Sequence, residues 1–115
     1  MNERRFLSSV RKIQAAVHKN AVEKGFWEDG TTDRDFGPEK VALVHSEVSE
    51  LLEAMRDGNP MSSKIPGFSC MEEEEADIII RVFDLAGYHK HRLAEAIIAK
   101  MKYNADRPRR HGRLF

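Results

Sequence analysis

Apolar residues recur every three to four positions in four stretches separated by glycine and proline, and this pattern constrains the chain more than any other feature. Phe6, Val10, Ile13, Val17 and Ala21 predict a first helix over about residues 4–24, ended by Gly25. A loop rich in Gly, Thr and Asp follows over 26–37. A second helix is expected to open at Gly37-Pro38, because proline at the first helical position loses no intrahelical bond. Val41, Val44, Val48, Leu51, Leu52 and Met55 give it an apolar face, and it is expected to stop near Gly58. A second loop spans 58–67. Ser69-Cys70-Met71-Glu72 then has the form of a capping box and starts a third helix that runs to Ala86 and ends at Gly87. Ile78-Ile79-Ile80 has strand composition, but the length of the segment and the box before it favour helix. A fourth helix is expected from about His89 to Asp106, with Leu93, Ile97, Ile98 and Met101 as its apolar positions and Pro108 as its stop.

The expected fold class is therefore all-α, a four-helix bundle forming a single domain over 1–115 with a basic tail from 107 to 115. A chain of 115 residues buries only about two-thirds of its unfolded surface, so its core is modest. Leftover apolar faces would be covered by a second copy, which predicts a homo-oligomer, dimer or tetramer. Cys70 is the one cysteine, no apolar run reaches membrane-helix length, and Met1-Asn2-Glu3-Arg4-Arg5 is not followed by an apolar stretch of signal-peptide length. These features lead to the expectation of a cytoplasmic protein without a membrane partner.

Charge sums to zero, with 19 basic and 19 acidic residues, which gives no support for a nucleic acid polymer as partner. Its distribution is uneven. Ten acidic residues lie between Glu47 and Asp84 against only Arg56, Lys64 and Arg81, whereas six basic residues and a single acid follow from Lys100 onward. Such a split is either mutual neutralisation or a cation site facing an anion clamp.

Glu47 and Glu50 are three residues apart on the second helix, and Glu74 and Asp77 are three apart on the third. Residues at that spacing share a helix face, so each pair points at one spot. Two such helices side by side bring four carboxylates together, and four carboxylates repel unless a cation neutralises them. Magnesium suits an all-oxygen donor set. The plainer reading, a solvated face, is weakened because Glu47 and Glu50 lie in one stripe with Leu43 and Ala54. Glu74, Asp77, Arg81 and Asp84 likewise form a polar stripe on an otherwise apolar helix. Glu72, Glu73 and Glu75 read as charges favouring the N-terminal end of the helix dipole. A di-iron centre needs Glu-x-x-His pairs, and none of the five histidines has Glu three residues before it.

Lys100, Asn104 and Arg107 share a face of the fourth helix and either grip phosphate or merely stabilise the helix C-terminus. Trp27 either packs or stacks on a base, and His18 either sits as an ordinary helix residue or hydrogen-bonds one.

Glu47-x-x-Glu50, 23 intervening residues, then Glu74-x-x-Asp77 resembles the MazG-like all-α NTP pyrophosphatase superfamily, which includes dCTP pyrophosphatases and dimeric dUTPases. The segment 18–27 (HKNAVEKGFW) is similar to the end of that family's first helix and its base-side loop. Lys100-x-x-x-Asn104-x-x-Arg107-Pro108 is similar to its phosphate-binding element. The short form is most similar to bacterial and phage members.

The resemblance implies a magnesium-dependent enzyme, with Mn²⁺ as a substitute, that hydrolyses (d)NTPs to (d)NMP and pyrophosphate in nucleotide-pool house-cleaning. It implies Glu47, Glu50, Glu74 and Asp77 as metal ligands and Glu50 as the residue that orients or deprotonates the water. It further implies Lys100, Asn104 and Arg107 on phosphate and His18 and Trp27 on the base. Arg81 stands where some pyrimidine-specific members carry an aromatic residue, so the resemblance leaves the base open. The alternative is a non-catalytic helical oligomer that binds a nucleotide or a protein partner.

Overall fold

The capping box forms as the local sequence requires: the Ser69 hydroxyl accepts from the Glu72 amide at 3.2 Å, and the Glu72 carboxylate accepts from the Ser69 amide at 3.1 Å. From this start the third helix, α3, runs Cys70–Tyr88. It follows α1 (Glu3–Glu23) and α2 (Asp33–Arg56) and precedes α4 (Leu93–Ala105) and a short 3₁₀ turn, Arg109–Gly112. The computed structural model describes residues 1–28 and 33–115. Among these the protein is all-helical, with four α-helices and no strand beyond one isolated bridge between Met61 and Ser69.

Three boundaries differ from those expected. The helix α2 begins at Asp33 and carries Pro38 inside its second turn, so proline is not its first residue. The helix α3 passes through Gly87, which ends nothing. Its lack of a side chain admits α1 instead, because a Cβ at that position would lie 2.6 Å from His18 Cβ. The start of α4 is delayed to Leu93 because Lys90 takes a left-handed φ of 57°, which interrupts helical geometry.

The helix α3 is central, with α2 against one side and α1 against the other, while α4 lies on α1. Arg11 of α1 pairs with Glu95 of α4, and the Gln14 amide donates to His91 O at 3.1 Å. At the far end of α2, Gly58 and Asn59 turn the chain with φ of 81° and 52°. Asn59 Oδ1 then accepts from the Met71 amide at 2.9 Å and fastens this loop to the first turn of α3.

The buried apolar set is small: Val10, Ala54, Ala86, Ala94 and Ile98. No large side chain among the described residues is fully enclosed. The α2 helix turns Lys40, Glu47 and Ala54 inward, and leaves Val41, Val48, Leu52 and Met55 about half exposed in a single stripe. The radius of gyration, 16.5 Å, exceeds the roughly 13 Å expected of a compact chain of this length. Among the described residues no helix is long and apolar enough to cross a membrane.

Candidate metal centre and adjoining cleft

Packing of α2 on α3 brings the two carboxylate pairs together. One oxygen each of Glu47, Glu50 and Glu74 lies within 4.8 Å of the others, and a second group, Glu73, Glu74 and Asp77, meets the same limit. Glu74 belongs to both, so all four expected ligands fall into one acidic centre. Glu73 is the addition: it is buried, accepts from the Ser62 hydroxyl at 2.9 Å and pairs with Lys64 Nζ at 3.6 Å. Like Glu72 it lies in the first turn of α3, where a negative charge favours the helix dipole, and the contacts with Ser62 and Lys64 are further to that. The loop between α2 and α3, not the helix period, draws it inward, and only the serine and lysine of that loop hinted at such partners.

The centre is charged unevenly. Glu47 is 7% exposed. Burial works to raise its carboxyl, but the Arg81 guanidinium, donating through Nε to Oε1 at 2.7 Å, outweighs this and holds it below the ordinary range. Glu50 is raised, mainly by its contact with Glu47. Glu74 is raised from 4.5 to about 7, by burial first and then by Glu50. Asp77 is raised by burial and by the charges of Glu47 and Glu73. The protein thus answers carboxylate crowding in two ways: it supplies one guanidinium, and it raises the proton affinity of Glu50, Glu74 and Asp77.

Glu47 Oε2 and Glu74 Oε2 are both buried and have no hydrogen-bond partner among the described residues. Buried carboxylate oxygens are ordinarily satisfied, so this pair fits a cation. The donor set is purely carboxylate oxygen, which suits magnesium or manganese and offers no soft ligand for other metals.

Beside the centre opens a cavity of about 400 Å³. Glu47, Glu50 and Asp77 border it at one end with Lys64 and Arg81, while Val17, Ala21, Phe26 and Ile80 line it together with Lys40 and Asp84. His18 and Trp27 both serve Asp84: His18 Nδ1 and Trp27 Nε1 each lie 2.8 Å from Asp84 Oδ1. The Trp27 ring is stacked on Tyr88 with centroids 4.0 Å apart and planes 5° apart, and Lys40 Nζ stands over the indole at 4.5 Å. Tyr88 and Lys40 therefore already cover that ring, and His18 meets it edge-on at 5.8 Å. Phe26, 54% exposed, is the aromatic surface that the cleft presents. Lys40, 9% exposed, donates to Phe26 O at 2.9 Å and fixes this turn.

Lys100, Asn104 and Arg107 are not brought to this cleft within one chain. Lys100 Nζ lies over the Tyr103 ring at 4.4 Å, and the Arg107 guanidinium lies over the same ring at 5.5 Å. Lys100 and Asn104 line a separate apolar hollow on α4, and Arg107 lines another with Arg110 and Arg113. The cations at the acidic centre are Lys64 and Arg81, which spacing on α4 could not reveal.

Compared with protein-family models, curated proteins and solved structures, the chain matches none of them.

Proposed function

We propose that the protein is a magnesium-dependent nucleoside triphosphate pyrophosphohydrolase of the MazG-like all-α kind. One observation carries the reading: Glu47, Glu50 and Glu74 converge from two helices with two buried carboxylate oxygens lacking partners, at the mouth of a cleft that has a cationic edge and an apolar wall. Glu47, Glu50, Glu74 and Asp77 would hold the metal. Bound magnesium there supplies positive charge against the triphosphate and helps acidify the attacking water.

The remaining chemistry belongs to the chain. Glu50, exposed on the cleft and made more basic by Glu47, accepts the proton from water as its oxygen attacks the α-phosphorus. The bond from that phosphorus to the bridging oxygen breaks, and pyrophosphate departs with the electron pair. Lys64 and Arg81 face the anionic portion and offset its charge as it shifts to the leaving group. Phe26, Ile80 and Val17 offer the nucleoside an apolar surface.

The exposed stripe Val41, Val48, Leu52 and Met55 supports a homo-oligomer that closes α2 against a second copy. The deciding experiment is pyrophosphate release from the eight common NTPs and dNTPs with and without Mg²⁺. Release that requires the metal and vanishes in Glu50→Gln supports the reading; no release from any of them favours the non-catalytic binder.

A further inference from the structure

We infer that Asp84 is the residue that reads the base, and that it selects nucleobases carrying an exocyclic amine over uracil and thymine. The inference rests on the hydrolase reading above and deepens it. Asp84 lines the cleft and is only 9% exposed. Both donors that hold it, His18 and Trp27, converge on Oδ1. Oδ2 accepts no hydrogen bond among the described residues and is not enclosed, and the residue that carries it lines the cleft. The carboxylate is thus clamped through one oxygen and offers the other.

Its surroundings define what that oxygen can take. Val17, Ala21, Phe26 and Ile80 give the wall its apolar part and Asn20 and Lys40 its polar part, a mixture that suits a flat ring with polar edges. Asp84 follows Asp77 by seven residues, which is about 10 Å along α3 at 1.5 Å per residue. That span is comparable with the reach of a nucleotide from its α-phosphate to the far edge of its base. A carboxylate oxygen at the end of such a slot pairs with an amine, as Asp does with the cytosine N4 amine. Uracil and thymine place a carbonyl at the corresponding position. Turning the ring to offer N3–H sets the two flanking carbonyls against the carboxylate. A buried polar site discriminates strongly against a ligand that leaves it unpaired, by orders of magnitude in favourable cases.

The test is Asp84→Asn. Its carbonyl oxygen can still accept from His18 and Trp27, while an NH₂ donor replaces the free oxygen. The kcat/KM values for dCTP and dUTP are measured for both proteins, and binding of the α,β-imido analogues of both nucleotides is measured by calorimetry. The wild-type protein is expected to favour dCTP, and the variant to lower the dCTP-to-dUTP ratio by on the order of tenfold or more in both assays. Hydrolysis with an unchanged ratio overturns the role of Asp84 and leaves the hydrolase reading intact. Absence of hydrolysis with an altered binding ratio supports Asp84 as base reader and overturns the enzyme. Neither hydrolysis nor analogue binding by the wild-type protein overturns both. With CTP measured beside dCTP, a change confined to the CTP-to-dCTP ratio assigns Asp84 to a sugar hydroxyl and overturns the base assignment.

Discussion

Arg81 donates through Nε to Oε1 of Glu47 at 2.7 Å, so the most buried carboxylate of the acidic centre is already half neutralised by its own neighbour helix. The remaining oxygen, Oε2, is the one without a partner. The guanidinium therefore orients Glu47 without using up its capacity to bind a cation. Replacing Arg81 with methionine leaves a carboxylate buried and unpaired. Removing one partner of a fully buried pair costs about 3–5 kcal/mol. The Arg81 side chain is 31% exposed, so solvent screening reduces the expected loss to about 1–3 kcal/mol. Urea unfolding of Arg81→Met checks this, and added Mg²⁺ is expected to recover part of the loss. A variant as stable as the parent without metal would show that Glu47 does not need the pair.

The raised carboxyl of Glu74 gives the metal-free protein a defined pH response. An acid whose folded pKa lies above its unfolded value contributes stability below the unfolded value and loses it as pH rises through the folded one. For Glu74 that window runs from 4.5 to about 7. Glu50 and Asp77 shift in the same direction, while Glu47, lowered mainly through Arg81, acts oppositely at more acid pH. The Tm in chelator is expected to fall as pH rises across this window. Mg²⁺ at pH 8 should restore it, and Glu74→Gln should flatten the profile. A flat profile in the parent protein would count against carboxylate crowding.

Lys64 and Lys100 are expected to separate in kinetics. Lys64 borders the cleft and touches Glu73, whereas Lys100 lies over Tyr103 on α4. Charge offered to a developing anion is commonly worth a rate factor on the order of a hundred. Lys64 is exposed, so Lys64→Ala should lower kcat/KM by about tenfold. Lys100→Ala should change it by less than Lys64→Ala does. Steady-state rates on matched preparations decide, and a larger loss at Lys100 would mean that a second copy carries α4 to the cleft.

Assembly is expected to depend on the outer stripe of α2. Leu52 is 55% exposed in the single chain. Light scattering at micromolar concentration should give at least twice the chain mass, and Leu52→Lys should reduce it toward that of one chain while the helical spectrum persists. A parent protein that is already monomeric removes the proposed interface.

The sequence by itself determined the helices that local chemistry specifies. Ser69 and Glu72 satisfy each other whatever α3 packs against, so that start was legible from four residues. The three-residue spacing of Glu47 with Glu50, and of Glu74 with Asp77, likewise fixed which acids share a face. What lay beyond reach depends on contacts between distant segments. Gly87 reads as a stop signal, yet it is a contact, because the approach of His18 is invisible from α3 alone. Apolar periodicity on α2 marked Val48 and Leu52 as one face but not whether it lies inside; the chain buries Glu47 instead and leaves that stripe exposed, because Arg81 and the neighbouring carboxylates face Glu47 from α3. The sequence left Trp27 open between packing and stacking on a base, and only the fold shows Tyr88 stacked on its ring and its N–H donated to Asp84. Helical period orders residues around one axis. Only tertiary packing decides which side of that axis meets another helix, and therefore which charges must find partners inside.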